Sequence, residues 1–377
     1  MQSFLQDLRY AVRQLRKSPG FTFTVIITLA LGIGANAAVF TLFDQVLLRM
    51  LPVQKPQQLV RFRWTGSYSG GASVFGGEMS DYFSYPMYKD LRDKNEAFSG
   101  VVAVDRTNVG VIWNNQPKTR TSSSSAGNYF QVLGLQPVAG RLLSPKDDTA
   151  KGANPELVLS YAYWKSRFSG ASGVIGQTVR INGHPFTIVG VAPEAFQTAI
   201  GGYKPVLFLP ISMADIAIPA LAHATCTTTT SSYGLTLIAR LKPGVTITQA
   251  EASLAPLWHA LRAEELTLYK ERTERFSKNF LDKSHLVVKD DSRGFSPGRA
   301  DLKTPLIILM SMAGLLVAMC AINVATLLLL RAAARAREMS MRYALEPAGH
   351  VSSRNFLSKA ACLGWAGRLP VLPSRRW

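Results

Sequence analysis

Several residue types are scarce in this sequence, and each scarcity excludes a class of protein. The 377 residues include three cysteines and five histidines. Cys226, Cys320 and Cys362 lie far apart, so no disulfide framework is expected, and the histidines show no metal-ligand spacing. The sequence therefore predicts no metal centre and no bound cofactor. The histidines, interpreted as ordinary surface or core residues, are His184, His223, His259, His285 and His350.

Motifs for catalysis are also missing. There is no GxxxxGK[ST] loop, so any use of ATP must come from another polypeptide, and there is no GxSxG, HExxH or DxDxDG. The acidic pairs Asp147-Asp148 and Asp290-Asp291 adjoin Pro, Lys, Ser or Arg and are expected to be solvated loop residues. We predict that the chain is not an enzyme by itself.

Acidic residues are outnumbered, with 24 Asp and Glu against 42 Lys and Arg and a net charge of +18. The basic residues form no single patch beside aromatic residues, which argues against nucleic acid as a partner. Many of them instead flank two apolar runs, the bias that places flanking segments in the cytoplasm. These flanking residues are Arg9, Arg13, Arg16 and Lys17 before the first run and Arg331, Arg335, Arg337 and Arg342 after the second.

Charged side chains are absent from Ser18 to Phe43 and again from Thr304 to Leu330. About 20 apolar residues in a helix cross a hydrocarbon core of about 30 Å, so each run is long enough to span a membrane. The predicted membrane helices cover residues 19–48 and 304–330. A multi-pass protein of the inner membrane follows, with both termini cytoplasmic, residues 49–303 periplasmic and membrane lipid as a partner.

The N-terminal region allows two further interpretations. Ala35-Asn36-Ala37 could be a signal-peptide cleavage site, but apolar residues continue through Phe43, which favours an uncleaved anchor. Residues 1–18 are predicted to form a cytoplasmic amphipathic helix in the membrane interface, a plain solvated helix being the alternative. Its apolar residues at helical spacing are Phe4, Leu5, Leu8, Val12 and Leu15.

Small and amide residues in the spans predict helix packing. Ala30, Gly34 and Ala38 are spaced by four, which permits close approach of another helix. Asn36 and Asn323 are amides at membrane depth, where a protein neighbour is a better explanation than lipid.

The segment between the spans has the composition of a soluble α/β domain. Predicted strands include Leu59–Trp64, Val101–Val104 and Val109–Trp113, and Asn182-Gly183 predicts a tight hairpin turn. The serine run Ser122–Ser125 is interpreted as a boundary or exposed connection. The predicted fold class is an α+β membrane protein whose two membrane helices flank a split β/α subdomain, with a β-rich subdomain inserted at about residues 126–230.

Short motifs along residues 1–345 carry a family resemblance. The sequence resembles permease subunits of the MacB and FtsX type of ABC transporter, most closely the acidobacterial duplicated orphan permeases. The matching stretches are Asp7–Phe21, Leu29–Ala37, Gly127–Gly134, Gly140-Arg141, Gly176-Gln177, Ile181–Gly183, Val189–Pro193, Arg240–Val245 and Asn323–Ala325.

This resemblance implies a MacB-like periplasmic core domain over 49–303, a separate ABC ATPase as partner, a homodimer through the membrane helices and a possible periplasmic adaptor. ATP hydrolysis would move the outer domain, for export or for mechanotransmission. Residues 331–345 match the segment that docks on the ATPase, and a simple stop-transfer cluster is the alternative. The docking residues are Arg331, Arg335, Arg337, Glu338, Arg342 and Leu345.

The resemblance ends after Leu345, where the family continues with further spans. Residues 346–377 form a tail without a span, as Arg354, Lys359 and Arg368 interrupt its apolar residues, and a reading-frame change or truncation is the hypothesis. Two alternatives to a permease stay open. One is a two-span anchored periplasmic interaction protein without transport, and the other is an inactive truncated fragment.

Overall fold

The computed structural model describes residues 16, 19–67, 71–72, 78–113, 116–217, 232–269 and 273–345. The tail at 346–377 lies outside these residues, and so does nearly all of the predicted interfacial helix at 1–18. The same holds for nearly all of Thr227–Ser232, a polar stretch that the sequence predicts to be a loop. The chain divides into two compact units, one from residues 1–38 with 311–377 and the other from residues 39–310.

The order of elements alternates between helices and short strands. The helices are α1 Pro19–Phe43, α2 Tyr85–Asp93, α3 Tyr129–Leu133, α4 Tyr161–Phe168, α5 Ala214–Ala217, α6 Ile247–Thr267, α7 Glu274–Asp282 and α8 Arg299–Leu345. The strands are β1 Leu59–Trp64, β2 Gly71–Ala72, β3 Phe98–Trp113, β4 Gln116–Ser125, β5 Ala139–Gly140, β6 Glu156–Leu159, β7 Thr178–Ile181, β8 His184–Val191, β9 Leu207–Pro210, β10 Ser232–Tyr233, β11 Thr236–Leu241 and β12 Leu286–Asp290.

Two helical segments are long and apolar enough to cross a membrane. Thr22–Leu48, which is α1 with the π-helical turn Asp44–Leu48 that follows it, has a mean hydropathy of 2.1. Asp301–Ala334 in α8 has a mean hydropathy of 2.4. Large side chains such as Leu31 and Leu315 are about two-thirds exposed, as expected for surfaces that face lipid. Together with the mixed α/β domain between them, these helices confirm the predicted fold class.

In the described part of the domain one large mixed sheet runs in the order β12-β1-β11-β3-β4-β9-β6-β8-β5, and β7 pairs with β3 and β8. The strand β3 belongs to both halves of this sheet. Its first part pairs with β11, and its far end pairs with β7. The hairpin of β3 and β4 is therefore the backbone link between the two halves.

Two hydrophobic cores lie against this sheet. The first contains residues of β1, α2 and α6, including Phe62, Leu91 and Trp258. The second contains residues of the β6 to β9 region and α4, including Ile188 and Trp164. Helix α3 lies in the predicted insertion but packs in the first core, whereas the far end of β3 lies in the second. The predicted limits of the insertion, about 126–230, stay a prediction.

Local signals in the sequence agree with the structure where they depend on neighbouring residues. β1 covers the predicted Leu59–Trp64. Ser84 caps α2 by accepting the Met87 N–H, and Thr246 caps α6 by accepting the Gln249 N–H. Asn182 and Gly183 have φ values of 46° and 90°, which fit the predicted hairpin turn.

The predicted strands Val101–Val104 and Val109–Trp113 are confirmed, and both belong to one continuous strand, β3. Another expectation for the sheet was wrong. Ser122–Ser125 is not an exposed connection but the buried end of β4, hydrogen-bonded between β3 and β9. Serine fits there because its small side chain can lie in a sheet covered on both faces; the Ser122 hydroxyl donates to the Thr107 carbonyl at 3.3 Å.

Candidate functional site

The predicted packing residues of the membrane helices do not meet within one chain. Gly32, not Gly34, contacts the second span: a Cβ on Gly32 would lie 3.1 Å from Cys320 Sγ, whereas one on Gly34 would meet nothing within 4 Å. Two residues correspond to about 200° around a helix, so Gly34 lies almost opposite Gly32. A role of Gly34 in packing against another helix stays a prediction.

The other predicted packing residues differ in how far they are exposed. Ala30 and Ala38 are exposed, and so is Asn323. Asn36 is half-buried, and its buried Oδ1 accepts no hydrogen bond from the described residues. The structure thus leaves the face of Ala30, Gly34 and Ala38 uncovered by the described part of the chain.

The predicted docking segment at 331–345 continues the second span without a break. Helix α8 has 47 residues, which at 1.5 Å per residue is about 70 Å, more than twice the hydrocarbon thickness of about 30 Å. Arg331 is half-buried and Arg337 is exposed. The side chains of Arg335, Glu338, Arg342 and Leu345 lie outside those that the structure describes, and ATPase docking stays a prediction.

The segment Asp291–Arg299 joins β12 to α8, and we call it the junction segment. Its last residue, Arg299, donates from Nε to the Val46 carbonyl at 3.0 Å. Its Nη1 donates to the Gly294 carbonyl at 2.7 Å and its Nη2 to the Arg293 carbonyl at 2.9 Å. One guanidinium therefore ties the start of α8 to the π-helical turn that ends the first span.

The junction segment is also bonded to the sheet and to the loop after β8. The Asp291 N–H donates to the Leu59 carbonyl of β1 at 3.0 Å, and the Phe295 N–H donates to the Ala199 carbonyl at 3.0 Å. Gly294 has φ +75°, and a Cβ there would lie 2.7 Å from the Ala199 carbonyl oxygen, so this approach requires glycine. The segment thereby contacts the end of the first span, the start of the second, β1 and the loop after β8. Leu59, Ala199 and Phe295 all belong to the first hydrophobic core.

Charged side chains fix this segment in place. Arg61 pairs with the buried Asp81, and its guanidinium lies 4.0 Å from the centre of the Phe295 ring. Asp291 is 3% exposed, and burial raises its pKa to about 7, although Arg61 and Arg299 oppose the rise. The expectation that Asp291 is solvated was wrong, because the carboxyl is buried where the junction segment leaves β12.

The other acidic pair is also structural. Asp148 accepts the Gly127 N–H at 3.0 Å and the Ser212 N–H at 2.8 Å. Asp147 is buried, and two hydrogen bonds from the Arg141 guanidinium, at 2.6 and 3.0 Å, more than offset the effect of burial and lower its pKa. The expectation of solvated carboxylates was wrong here: the donors of Asp148 lie 21 and 64 residues away, and Asp147 is held by Arg141, 6 residues before it.

Sequence reasoning missed the residues that build the junction. Arg299 directly precedes the second span, and a basic residue there looks like a membrane-flanking charge. A signal was present in Gly294 and Gly298, which lie within the segment and predict irregular backbone rather than an extended helix. Within the described residues no group of three or more His, Cys, Asp or Glu side chains could hold a metal ion.

The MacB-like periplasmic core domain family matches residues 22–257, more than half of the chain. No curated protein matches.

Among solved structures, the periplasmic region of MacB from Actinobacillus actinomycetemcomitans is similar, with 19% identity and a TM-score of 0.41 over 63% of this chain and 90% of that one. The extracellular domain of the noncanonic ABC-type transporter YknZ from Gram-positive bacteria has 15% identity and a TM-score of 0.39 over 53% of this chain and 91% of that one. On the strength of the match over residues 22–257, the chain belongs to the MacB-like periplasmic core domain family.

Proposed function

We propose that this chain is the permease subunit of a MacB/FtsX-type ABC transporter in the inner membrane. Family membership and the two apolar helices support an ABC-type permease component. In this proposal a separate ATPase hydrolyses ATP, and the chain, without catalytic activity of its own, converts that hydrolysis into movement of its periplasmic domain. The output is export or mechanotransmission.

The junction segment is the observation that carries this proposal. A movement of the membrane helices can reach the sheet only through covalent links and contacts, and the junction concentrates both. Arg299 binds the carbonyl of Val46 in the first span. The Phe295 N–H donates to the Ala199 carbonyl in the loop after β8, and the Phe295 carbonyl accepts the Gly201 N–H of the same loop. In this proposal a shift of either span is passed through the junction segment to β1 and to the loop after β8.

The finer parts of the proposal rest on the sequence. Both termini are cytoplasmic, residues 331–345 dock on the ATPase, and two copies pair through the face of Ala30, Gly34 and Ala38. The uninterrupted backbone of α8 supports the docking role, since it carries residues 331–345 beyond the span as a helix. A periplasmic adaptor and membership of the acidobacterial duplicated orphan group belong to the same proposal.

Reconstitution tests the proposal directly. The full chain is placed in nanodiscs with an ABC ATPase subunit from the same genome, and ATP hydrolysis and hydrogen exchange of residues 291–299 are measured. We expect the ATPase to bind, and ATP to change exchange in the junction segment. Failure of the genome's ABC ATPases to bind would contradict the proposal and favour the anchored interaction protein.

Two variants separate docking from coupling. Arg299→Gln breaks the fork of hydrogen bonds, so we expect the complex to assemble but ATP to leave exchange at 291–299 unchanged. Arg331→Glu with Arg337→Glu should prevent assembly. Arg180→Gln, at an exposed position of β7, is the control and should behave as wild type.

A further inference from the structure

A cavity of about 950 Å³ opens beside the junction segment. Its wall is apolar on one side, where the two spans supply Phe43, Leu47, Leu48 and Ile307. These residues lie at the adjoining ends of the candidate spans Thr22–Leu48 and Asp301–Ala334. In a membrane this wall lies where hydrocarbon gives way to lipid headgroups.

The rest of the lining contains five basic and five acidic residues, together with the uncharged residues 294–298 of the junction segment. Several of these are satisfied by the protein itself: Arg61 pairs with Asp81, Arg63 pairs with Glu78, and Arg299 binds three carbonyls. The balance of charge excludes a site built for a purely anionic or purely cationic ligand. The complete charged lining consists of Arg61, Arg63, Arg293, Arg299, Lys303, Glu78, Asp81, Asp290, Asp291 and Asp301.

Four exposed charged groups of the lining make no ion pair within the described residues. They are the cations Arg293 and Lys303 and the carboxylates Asp290 and Asp301, of which Asp290 already accepts hydrogen bonds from Ser292. A guanidinium and an ammonium together suit a phosphodiester, and a carboxylate suits a primary ammonium. The two cations and the carboxylate of Asp301 therefore match the two charges of a zwitterionic headgroup.

We propose that this cavity binds one zwitterionic phospholipid of the phosphatidylethanolamine class. Its phosphate lies against Arg293 and Lys303, its ammonium against Asp301, and its acyl chains against Phe43, Leu47 and Ile307. The volume is at the upper end of the range for ligand sites, about 300–1,000 Å³, which suits a headgroup with its glycerol.

Native mass spectrometry of the full chain tests this site. The protein is released from nanodiscs of equal phosphatidylethanolamine and phosphatidylglycerol, and the lipid retained per chain is counted. We expect phosphatidylethanolamine to be retained preferentially. The double variant Arg293→Ala/Lys303→Ala should retain it at least about tenfold less, since the loss of even one hydrogen bond to a charged group corresponds to about that factor.

The controls distinguish this site from general lipid adhesion. Lys242→Ala/Arg180→Ala removes two exposed charges elsewhere and should retain lipid as wild type does. Soluble glycerophosphoethanolamine should compete weakly, since it lacks the chains that contact the apolar wall. Equal retention by the double variant, preference for phosphatidylglycerol, or full competition by the soluble headgroup would each overturn the proposal.

A photocrosslinking amino acid at position 307 provides a measurement that does not depend on affinity. We expect it to label phosphatidylethanolamine in the folded protein. The same group at position 315, which is exposed on the span, reports the bulk bilayer composition. Identical lipid labelling at the two positions would contradict a selective site.

Discussion

Asp291 shows how one buried carboxyl couples the junction to pH. It is the first residue of the junction segment, directly after β12, and its Oδ2 accepts no hydrogen bond from the described residues. Burial therefore dominates over Arg61 and Arg299, with Asp290 adding to the rise, and the pKa reaches about 7. In the unfolded chain the ordinary value is about 3.9.

The sign of the resulting pH dependence is fixed by this difference. Between about pH 4 and pH 7 the folded state holds a proton that the unfolded state has released, so the free energy of unfolding falls as pH rises. Asp291→Asn has no proton to lose. We expect its stability relative to wild type to grow across this window by an amount on the order of 4 kcal/mol.

Thermal unfolding of the full chain in detergent at several pH values measures this effect. Asp105→Asn is a parallel case, since burial raises the pKa of Asp105 to about 7 as well. A constant difference in melting temperature between Asp291→Asn and wild type from pH 4 to pH 7 would contradict the assignment.

Single residues were predictable when their partners are close in sequence. Ser84 and Thr246 cap their helices through donors three residues away. Asp148 was not predictable, because one of its donors is Ser212, and neither was Ser123, whose hydroxyl lies 3.5 Å from that of Tyr203. Burial of polar residues depends on strand order, which local patterns do not encode.

At the scale of elements, α1 has two different faces. One face carries Gly32 and contacts Cys320 of α8 in the same chain. The other carries Ala30, Gly34 and Ala38 and is exposed. Small residues thus serve an internal contact on one side and leave a smooth surface on the other.

Cysteine crosslinking distinguishes these two faces. A Cβ on Gly32 would lie 3.4 Å from Cys320 Cβ, close to the separation of about 3.5–4.5 Å found in disulfides. In a chain with Cys226 and Cys362 replaced by Ser, we expect Gly32→Cys to form an intramolecular disulfide with Cys320 on mild oxidation. Gly34→Cys should instead give disulfide-linked dimers if that face pairs two copies.

Mass spectrometry and non-reducing electrophoresis detect both the intramolecular disulfide and the disulfide-linked dimer. With Cys320→Ser as the control, Gly32→Cys should lose its internal crosslink. Intermolecular crosslinking by Gly32→Cys alone would contradict the internal contact, and monomers only from Gly34→Cys would contradict the proposed dimer face.

Elements with strong periodicity were predictable, but their ends and joins were not. Apolar residues at helical spacing predict a helix over Thr246–Leu261. Helix α6 continues beyond this range to Thr267, and its last turns contain the buried ion pair of Arg262 and Glu265. In a sequence, a charged pair indicates that the apolar face of a helix has ended. Here, however, the Arg262 guanidinium lies 3.8 Å from the centre of the Phe280 ring. Helix α7, which supplies that ring, was not predicted.

For the domain as a whole, β3 is shared by both hydrophobic cores. Val101 lies in the first core and Val111 in the second. Unfolding one core therefore removes pairing partners from the other, and we expect residues 39–310 to unfold in one cooperative transition.

A substitution in each core tests this cooperativity. Leu91→Ala truncates a fully buried side chain of the first core and should cost about 2–5 kcal/mol. Gly190→Ala would place a Cβ 1.8 Å from the Arg141 carbonyl oxygen and should cost at least about 1–3 kcal/mol. Both substitutions should lower the midpoint of one common unfolding transition. Hydrogen exchange in both cores measures this transition.

Gly173→Ala is the matched control, since a Cβ there would meet nothing within 4 Å. Its free energy of unfolding should stay within about 0.5 kcal/mol of the wild-type value. Separate transitions, with each substitution accelerating exchange only in its own core, would show that the two cores unfold independently.

The length of α8 has a mechanical consequence. A rod of about 70 Å that tilts by about 10° around its midpoint moves each end by about 6 Å in opposite directions. Arg299, at one end of this rod, is held by three carbonyls, so displacement there pulls directly on the backbone of the junction. Helix α8 can thus act as a lever, and a displacement of its far end has a defined point of delivery in the junction segment.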